Sequence, residues 1–463
     1  MINYQDFIKN KIQVFESVGF EIEKSELNSK LFDFQKDIVR WALKKGRAAI
    51  FADCGMGKTA MQLEWADQIY KKEGGKILIL APLAVATQTQ REGEKFNIPV
   101  NICESQSDVI EGINITNYEK LEKFIAREFN AIILDESSIL KSFTGKVRTQ
   151  IIDSFKNTPY RLACTATPAP NDYMELGNHS QFLGVMTREE MLSMYFVHDG
   201  GQTSKWRLKG HAENSFWEWM ASWSVFIDNP KNLGYDMEGY ELPKLNIFEI
   251  VADGKEVTTE KLTLTQRRNV RKDSLDIRCE KAAELVNNSN ENWLVWCDLN
   301  DESKKLHDLI IDSVEVKGSD KNSHKSQSML AFSENKIKCL VTKPKIAGFG
   351  MNWQNCRNMI FVGLSDSYEA FYQSMRRCWR FGQEKEVNAY IIISSKEGTV
   401  KENIERKQDD AKKMQKAMIE LTKDITKKEI PESLMRKLRS SVILAGSILS
   451  RFGEAKFSYP GRM

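Results

Sequence analysis

Ala52-Asp-Cys-Gly-Met-Gly-Lys-Thr59 is a loop of small residues that ends in Gly57-Lys58-Thr59. A short apolar run, Ala48 to Phe51, precedes it and reads as a buried strand. Thr59 to Tyr70 follows, with Met61, Trp65 and Ile69 at helical spacing. Strand, glycine loop and helix in that order make a phosphate cradle. Backbone N–H groups around Gly55 and Gly57 and the positive end of the helix point at the anion, and Lys58 adds a full charge. Thr59 offers a hydroxyl to the Mg²⁺ that travels with phosphates. Ala52 stands where the strict pattern has glycine, so this is the relaxed form, with a plain strand-to-helix turn as the alternative.

Outward from the loop, Phe34-Gln35 lies a short way upstream. The Gln35 amide both donates and accepts, which matches the edge of adenine. Downstream, Lys76–Pro82, Val100–Cys103, Asn114–Tyr118 and Ala131–Leu134 read as further short strands, with a polar helix at Val85–Phe96. Strands alternating with helices predict a parallel sheet with ligands at its carboxyl ends. At one such end stand Asp135 and Glu136, two acids that are costly to place after an apolar strand without a cation. Asp135 is the candidate Mg²⁺ ligand and Glu136 the residue that polarises the attacking water; an N-terminal helix cap is the alternative. In Thr165-Ala-Thr167-Pro168, the Thr165 and Thr167 hydroxyls are candidates to bond the acidic pair and a nucleic-acid backbone.

The 463 residues suit about three domains. Lys and Arg total 67 against 64 Asp and Glu, so a nucleic-acid partner needs a local basic groove, since global charge does not announce one. Eight scattered cysteines without a C-x-x-C pair argue against a zinc site and a disulfide framework, and suit a reducing cytoplasm. The first residues lack the apolar segment of a signal peptide, and Val442–Leu449 is too short to span a bilayer. A soluble cytoplasmic protein with no membrane partner is expected.

Residues 1–30 read as a packing helix. Residues 178–245 are rich in aromatics, with Trp206, Trp217, Trp219 and Trp223. Ser215-Phe-Trp-Glu218 has a capping-box signature and begins a stripe of Phe216, Met220, Trp223 and Ile227, which reads as core. Trp206 and Arg207 are candidates to stack on bases. A second alternating series begins at Asn246, with a basic helical stretch holding Arg267, Arg268, Arg271, Lys272 and Arg278. Its loop Thr342–Asn352 carries Lys343 and Lys345, candidate nucleic-acid contacts, and Gly348 and Gly350, which allow close approach to a phosphate chain. In Gln373-Ser-Met-Arg-Arg-Cys-Trp-Arg-Phe-Gly-Gln383, Arg377 and Arg380 lie three apart and on a helix share a face. Presented to a nucleotide held by the first series, they make an arginine-finger arrangement. Surface charge on a solvated helix is the alternative.

In order and placement these motifs resemble the superfamily-two helicase-like ATPases, within them the Swi/Snf-like branch, and there the compact phage and prophage type. The resemblance rests on Phe34-Gln35, GMGKT at 55–59, DESS at 135–138, TATP at 165–168, AGFGMN at 347–352 and QSMRRCWRFGQ at 373–383. Cys54, Ser137-Ser138 and Ala347 depart from the usual pattern. It implies an α/β fold of two RecA-like parallel-sheet lobes in tandem, with the helical aromatic-rich insert and C-terminal brace helices. The boundaries read 1–30, 31–177 for the ATP-binding lobe, 178–245 for insert and linker, 246–398 for the second lobe and 399–463 for the brace. It further implies ATP and Mg²⁺ between the lobes and DNA, duplex or forked, as partner. Lys58, Thr59, Asp135, Glu136, Arg377 and Arg380 carry over as catalytic, Gln35 as adenine-reading and Gly350 as lining the nucleotide cleft. The expected function is an ATP-dependent DNA motor, a helicase or duplex translocase. The alternatives are a strand-separating helicase, for which no wedge hairpin is recognisable in the sequence, and an ATP-driven binding switch.

Overall fold

Every strand of the two large sheets pairs parallel to its neighbours. The computed structural model describes residues 17–82, 85–142, 144–198, 206–259, 262–347 and 351–423. The chain divides into two units, one of Met1–Asp236 with Lys413–Met463 and one of Met237–Lys412.

The first unit contains β1 (Arg47–Ala52), β2 (Lys76–Ala81), β3 (Val100–Ile102), β4 (Gly112–Asn117), β5 (Phe129–Asp135) and β6 (Tyr160–Thr165). An antiparallel hairpin of β7 (Phe196–His198) and β8 (Trp206–Leu208) follows, then β9 (Ser224–Ile227). The sheet runs β3-β4-β2-β5-β6-β1-β9. β1, β2 and β6 are buried along nearly their whole length, the mark of strands covered on both faces. Its helices are α1 (Asp33–Lys45), α2 (Lys58–Glu73), α3 (Ala86–Phe96), α4 (Lys146–Phe155), α5 (Leu176–Leu183), α6 (Arg188–Tyr195) and α7 (Glu213–Trp223). α1 ends at Gly46, whose φ of 69° lets its N–H close on the Ala42 and Leu43 carbonyls, so β1 can begin at the next residue.

Two expectations fail here for local reasons. Residues 17–30 hold only a short 3₁₀ turn, Lys24–Glu26, because the Val18 and Phe20 N–H groups bond the carbonyls of Lys45 and Leu43 instead. Gly19 sits so close that a Cβ there would lie 1.8 Å from the Leu43 carbonyl oxygen. Residues 1–16 lie outside the described residues. The capping box at Ser215 does not form either: α7 begins at Glu213, and the Ser215 hydroxyl donates back to the Ala212 carbonyl at 2.9 Å. Phe216, Trp217, Met220 and Trp223 are core, but α7 stops at Trp223 and Ile227 belongs to β9 beside β1. The aromatic stretch thus adds an edge strand to the first sheet.

The second unit contains β10 (Leu245–Val251), β11 (Trp293–Trp296), β12 (Ser313–Glu315), β13 (Cys339–Thr342), β14 (Asn358–Val362) and β15 (Val387–Ile393), in the order β10-β15-β14-β11-β13-β12. Alternation along the strands splits its core in two. Leu294, Trp296, Met359 and Phe361 face one cluster, while Trp293, Val295, Ile360 and Val362 face the other. Its helices are α8 (Leu264–Asp273), α9 (Leu275–Asn287), α10 (Asn300–Leu309), α11 (Asn322–Ser333), α12 (Pro344–Ala347) and α13 (Tyr368–Met375). α14 (Gly398–Thr422) buries Val400 and Ile404 in the second unit's core and Met414 and Met418 in the first unit's core. The rest of the brace expected over 399–463 lies outside the described residues. Two parallel sheets, each covered by helices, give the expected tandem RecA-like fold.

Candidate active site

β5, β6 and β1 are consecutive in the first sheet, so their carboxyl ends bring Asp135–Glu136, Thr165–Thr167 and Ala52–Thr59 side by side. Gly55 and Gly57 adopt φ of 93° and 80°, the left-handed region that lets the loop curl before α2 starts at Lys58. Gly57 is also required by a neighbour, since a Cβ there would lie 2.2 Å from Gln35 Nε2. Gln35 is buried in α1, donates from Nε2 to the Met56 carbonyl at 3.0 Å and accepts the Phe32 N–H at 3.0 Å. Its amide ties the loop to the first turn of α1.

Lys58 Nζ donates to the Ala52 carbonyl at 2.9 Å, and Thr59 is the next residue of α2. Burial opposes the Lys58 charge, but Cys54, Glu136, Asp135 and Asp53 outweigh it and raise the pKa above the usual lysine value. The Asp53 N–H donates to the Ile227 carbonyl at 2.8 Å, so β9 anchors the start of the loop.

Asp135 Oδ1 accepts from Gln62 Nε2 at 2.8 Å, and its carbonyl accepts from Tyr118 Oη at 2.6 Å. Burial raises the Asp135 pKa, with Gln62 and Lys58 pulling the other way. Glu136 takes φ 51° and ψ 56°, a strained conformation for a residue with a Cβ. Its Oε2 accepts from Thr165 Oγ1 at 3.2 Å, and the same Oγ1 accepts the Thr167 N–H at 3.1 Å. The acid that would orient water is therefore bonded to the Thr-Ala-Thr-Pro loop.

Sequence reasoning missed the residues around these acids. Gln62 is fully buried one helical turn beyond Thr59, and a polar side chain on the apolar face of α2 was its only signal. Tyr118, at the end of β4, gave none. Neither did His179 in α5, whose Nε2 lies 3.1 Å from Ser137 Oγ. Burial pushes the His179 imidazole down to about 4, so the ring is neutral.

Thr59 and Asp135 are the residues that could hold a divalent ion. A hydroxyl and a carboxylate beside a phosphate cradle suit Mg²⁺, which keeps its waters and takes its remaining ligands from phosphates. Among the described residues no group of three or more His, Cys, Asp or Glu is placed for a metal. Nor is any helix among them long and apolar enough to cross a membrane.

The second unit carries the arginines, but on different backbone from that expected. α13 ends at Met375, so Arg377 and Arg380 stand in the turns after it. They still converge: Arg377 Nη1 donates to the Met351 carbonyl at 3.0 Å and Arg380 Nη1 to the same oxygen at 3.5 Å, with a further bond from Arg380 to Asn352. Gly350 lies outside the described residues. Lys343 donates to Asn300 Oδ1 at 2.6 Å, and Lys345 is exposed on α12. Trp206 and Arg207 belong to the first unit's hairpin, where the Trp206 ring packs on His198 with centroids 3.6 Å apart and Arg207 is exposed.

The basic stretch of α8 and α9 turns largely inward. Arg271 bonds Glu302 at 3.2 Å and Asp298 at 3.0 Å, and the fully buried Arg278 bonds Glu302 at 2.9 Å. Arg267 grips both oxygens of Asp366 at 2.8 and 2.9 Å.

Residues 12–170 match the family model described as the type III restriction enzyme, res subunit, and residues 278–382 match that of the helicase conserved C-terminal domain. No curated protein matches the sequence at a significant level. Among solved structures, the Sulfolobus solfataricus SWI2/SNF2 ATPase core in complex with dsDNA is similar, with a TM-score of 0.44 and 16% identity over 87% of this chain and 98% of that one. S. cerevisiae Dbp5 bound to RNA and ADP BeF3 is similar with a TM-score of 0.50 and 12% identity, over 83% of this chain and 93% of that one. At such identities the likeness is one of fold. The family matches add sequence to it, together covering more than half of the chain with one model on each lobe, and the chain belongs to the superfamily-two helicase-like ATPases.

Proposed function

We propose that this chain is a DNA-stimulated ATPase that moves along duplex DNA. One observation carries the reading: Thr165 holds Glu136 at 3.2 Å beside the phosphate loop. The loop proposed to meet nucleic acid thereby touches the carboxylate proposed to orient the attacking water. Lys58 and the loop N–H groups bind the phosphates, and Gln35 reads adenine from the position it holds against the loop. Thr59 and Asp135 would hold Mg²⁺, which would neutralise charge on the phosphates when bound. Arg377 and Arg380 stabilise the charge that develops on the transferred phosphoryl group, a contribution of about 10³–10⁵ in rate where such fingers are known. Lys343, Lys345 and Thr167 contact the backbone of the nucleic acid. The Swi/Snf-like assignment within the superfamily rests on the arginine-rich segment 373–383.

A second reading, strand separation, is favoured by the β7–β8 hairpin, because Trp206 packed on His198 offers a ring to a splayed base. Rates of ATP hydrolysis with no nucleic acid, single-stranded DNA, duplex, forked DNA and RNA, followed by triplex displacement, separate the readings. Duplex stimulation with displacement is expected. Stimulation by single strands alone favours strand separation, stimulation by RNA alone overturns the DNA assignment, and no stimulation leaves a binding switch.

A further inference from the structure

α5 carries no residue of the phosphate loop, the acid pair or the Thr-Ala-Thr-Pro segment, yet it touches the surroundings of all three. Its polar residues Asn178, His179 and Ser180 are fully buried. Burying such groups is costly unless they are bonded, so their partners matter. Ser180 Oγ donates to the Met186 carbonyl at 2.8 Å, a local bond. The other two reach the acid segment: Asn178 Nδ2 donates to the Leu140 carbonyl at 2.8 Å, and His179 Nε2 meets Ser137 Oγ at 3.1 Å. Just before the helix, the Glu175 carboxylate accepts the Asn171 backbone N–H at 3.1 Å and its side-chain amide at 2.8 Å, holding the loop that follows Thr165–Pro168. The His179 ring also stands edge-on to Phe51, in the strand that leads into the phosphate loop, with centroids 5.5 Å apart.

Ser137 directly follows Glu136, whose backbone is in the left-handed region. A residue with a Cβ stays there only where its surroundings over-determine it. The Ser137 hydroxyl is fully buried and held by His179, which is itself held by Phe51. We propose that His179 is a positioning residue for hydrolysis: through Ser137 it fixes the turn that aims the Glu136 carboxylate, and through Phe51 it keys that turn to the phosphate loop. The proposal rests on the ATPase reading and adds to it a residue outside every motif.

The test compares the intact chain with His179→Leu, His179→Gln, Ser137→Ala and the double variant Ser137→Ala/His179→Leu, in ATP hydrolysis with DNA and in thermal unfolding. Loss of one orienting hydrogen bond should lower kcat about tenfold in His179→Leu with KM for ATP unchanged. His179→Gln, which keeps a polar atom within reach of Ser137, should recover most of that loss. The double variant should be no slower than the slower single variant, because both remove the same bond. Unchanged kcat in a folded His179→Leu overturns the proposal, as do additive losses in the double variant or a rise in KM matching the fall in kcat. If His179→Leu unfolds, His179→Gln decides alone, with a kcat as low as that of Ser137→Ala counting against the role. Absence of turnover by the unaltered chain overturns the ATPase reading and this proposal with it.

Discussion

The two sheets end differently. In the first unit the carboxyl ends of β1, β5 and β6 carry a curled glycine loop, a lysine surrounded by acids and a glutamate in a strained turn. In the second, the corresponding edge of β11 and β14 is filled by the chain's own ions. Arg271 there donates to the Val362 and Leu364 carbonyls at 3.2 and 3.1 Å as well as to Glu302 and Asp298. Both edges have a glycine at positive φ after a strand, Gly57 at 80° and Gly363 at 78°. The neighbours differ. A Cβ at Gly57 would meet Gln35 Nε2 at 2.2 Å, and one at Gly363 would meet Arg278 Nη1 at 2.6 Å. A glycine after a strand announces close approach, and what approaches decides whether it serves a ligand or a salt bridge.

The sharpest way to break this contrast is to remove chemistry from the first edge alone. Glu136→Gln should lower kcat for ATP by about 10²–10⁴, the range of a lost general base. Lys58→Ala should likewise abolish hydrolysis, and both variants should keep the wild-type melting profile. Steady-state hydrolysis beside a thermal scan checks this. Normal turnover in either variant would move catalysis away from the first edge.

On the second edge the expected loss is stability. Glu302→Gln leaves the fully buried Arg278 and the half-buried Arg271 with one carboxylate fewer, and breaking a buried pair such as Arg278–Glu302 costs about 3–5 kcal/mol. Hydrogen exchange in β11 and β14 should report it, while nucleotide binding by the first unit persists. The same carboxylate sets a pH dependence. Burial pushes the Glu302 pKa up, but Arg271 and Arg278 hold it below the ordinary value. Its contribution is therefore full above the unfolded glutamate pKa of about 4.3 and is lost as pH falls through the lower folded value. Glu302→Gln should remove that acid-dependent step from the second unit.

The first edge was legible in the sequence because its chemistry is contiguous. Residues 52–59, 135–136 and 165–168 each sit at the end of an apolar run, and parallel pairing brings such ends together whatever the loops do. The rest depended on distance along the chain. Gln62 and His179 reach the acid segment from 73 and 42 residues away, and neither spacing leaves a local pattern. β9 was read as the tail of a helical stripe because Ser224–Ile227 has no turn residue before it, and the switch to strand follows from pairing with β1. The basic run in α8 and α9 gave no sign that Arg278 is fully buried, because charge alone does not say where the carboxylates are. Arg377 and Arg380 do not share the helix face expected of them: the turns after α13 aim both at the Met351 carbonyl.

The smallest effect separates the two glycines. Placing alanine at either position costs about 1–2 kcal/mol for the left-handed backbone. At Gly57 the new methyl group displaces only the end of the Gln35 side chain, which gives up its bond to the Met56 carbonyl. The consequence should fall on the loop, as a rise in KM for ATP with little further loss of stability. At Gly363 the methyl group meets a guanidinium that is fully buried and bonded to Glu302, Ser274 and the Arg271 carbonyl, so it has nowhere to move. Gly363→Ala should therefore lower the melting temperature by more than Gly57→Ala while leaving KM for ATP alone. Measuring both quantities on both variants tests whether two glycines of nearly equal φ hold different neighbours, and a Gly57→Ala chain with unaltered nucleotide affinity would erase the distinction.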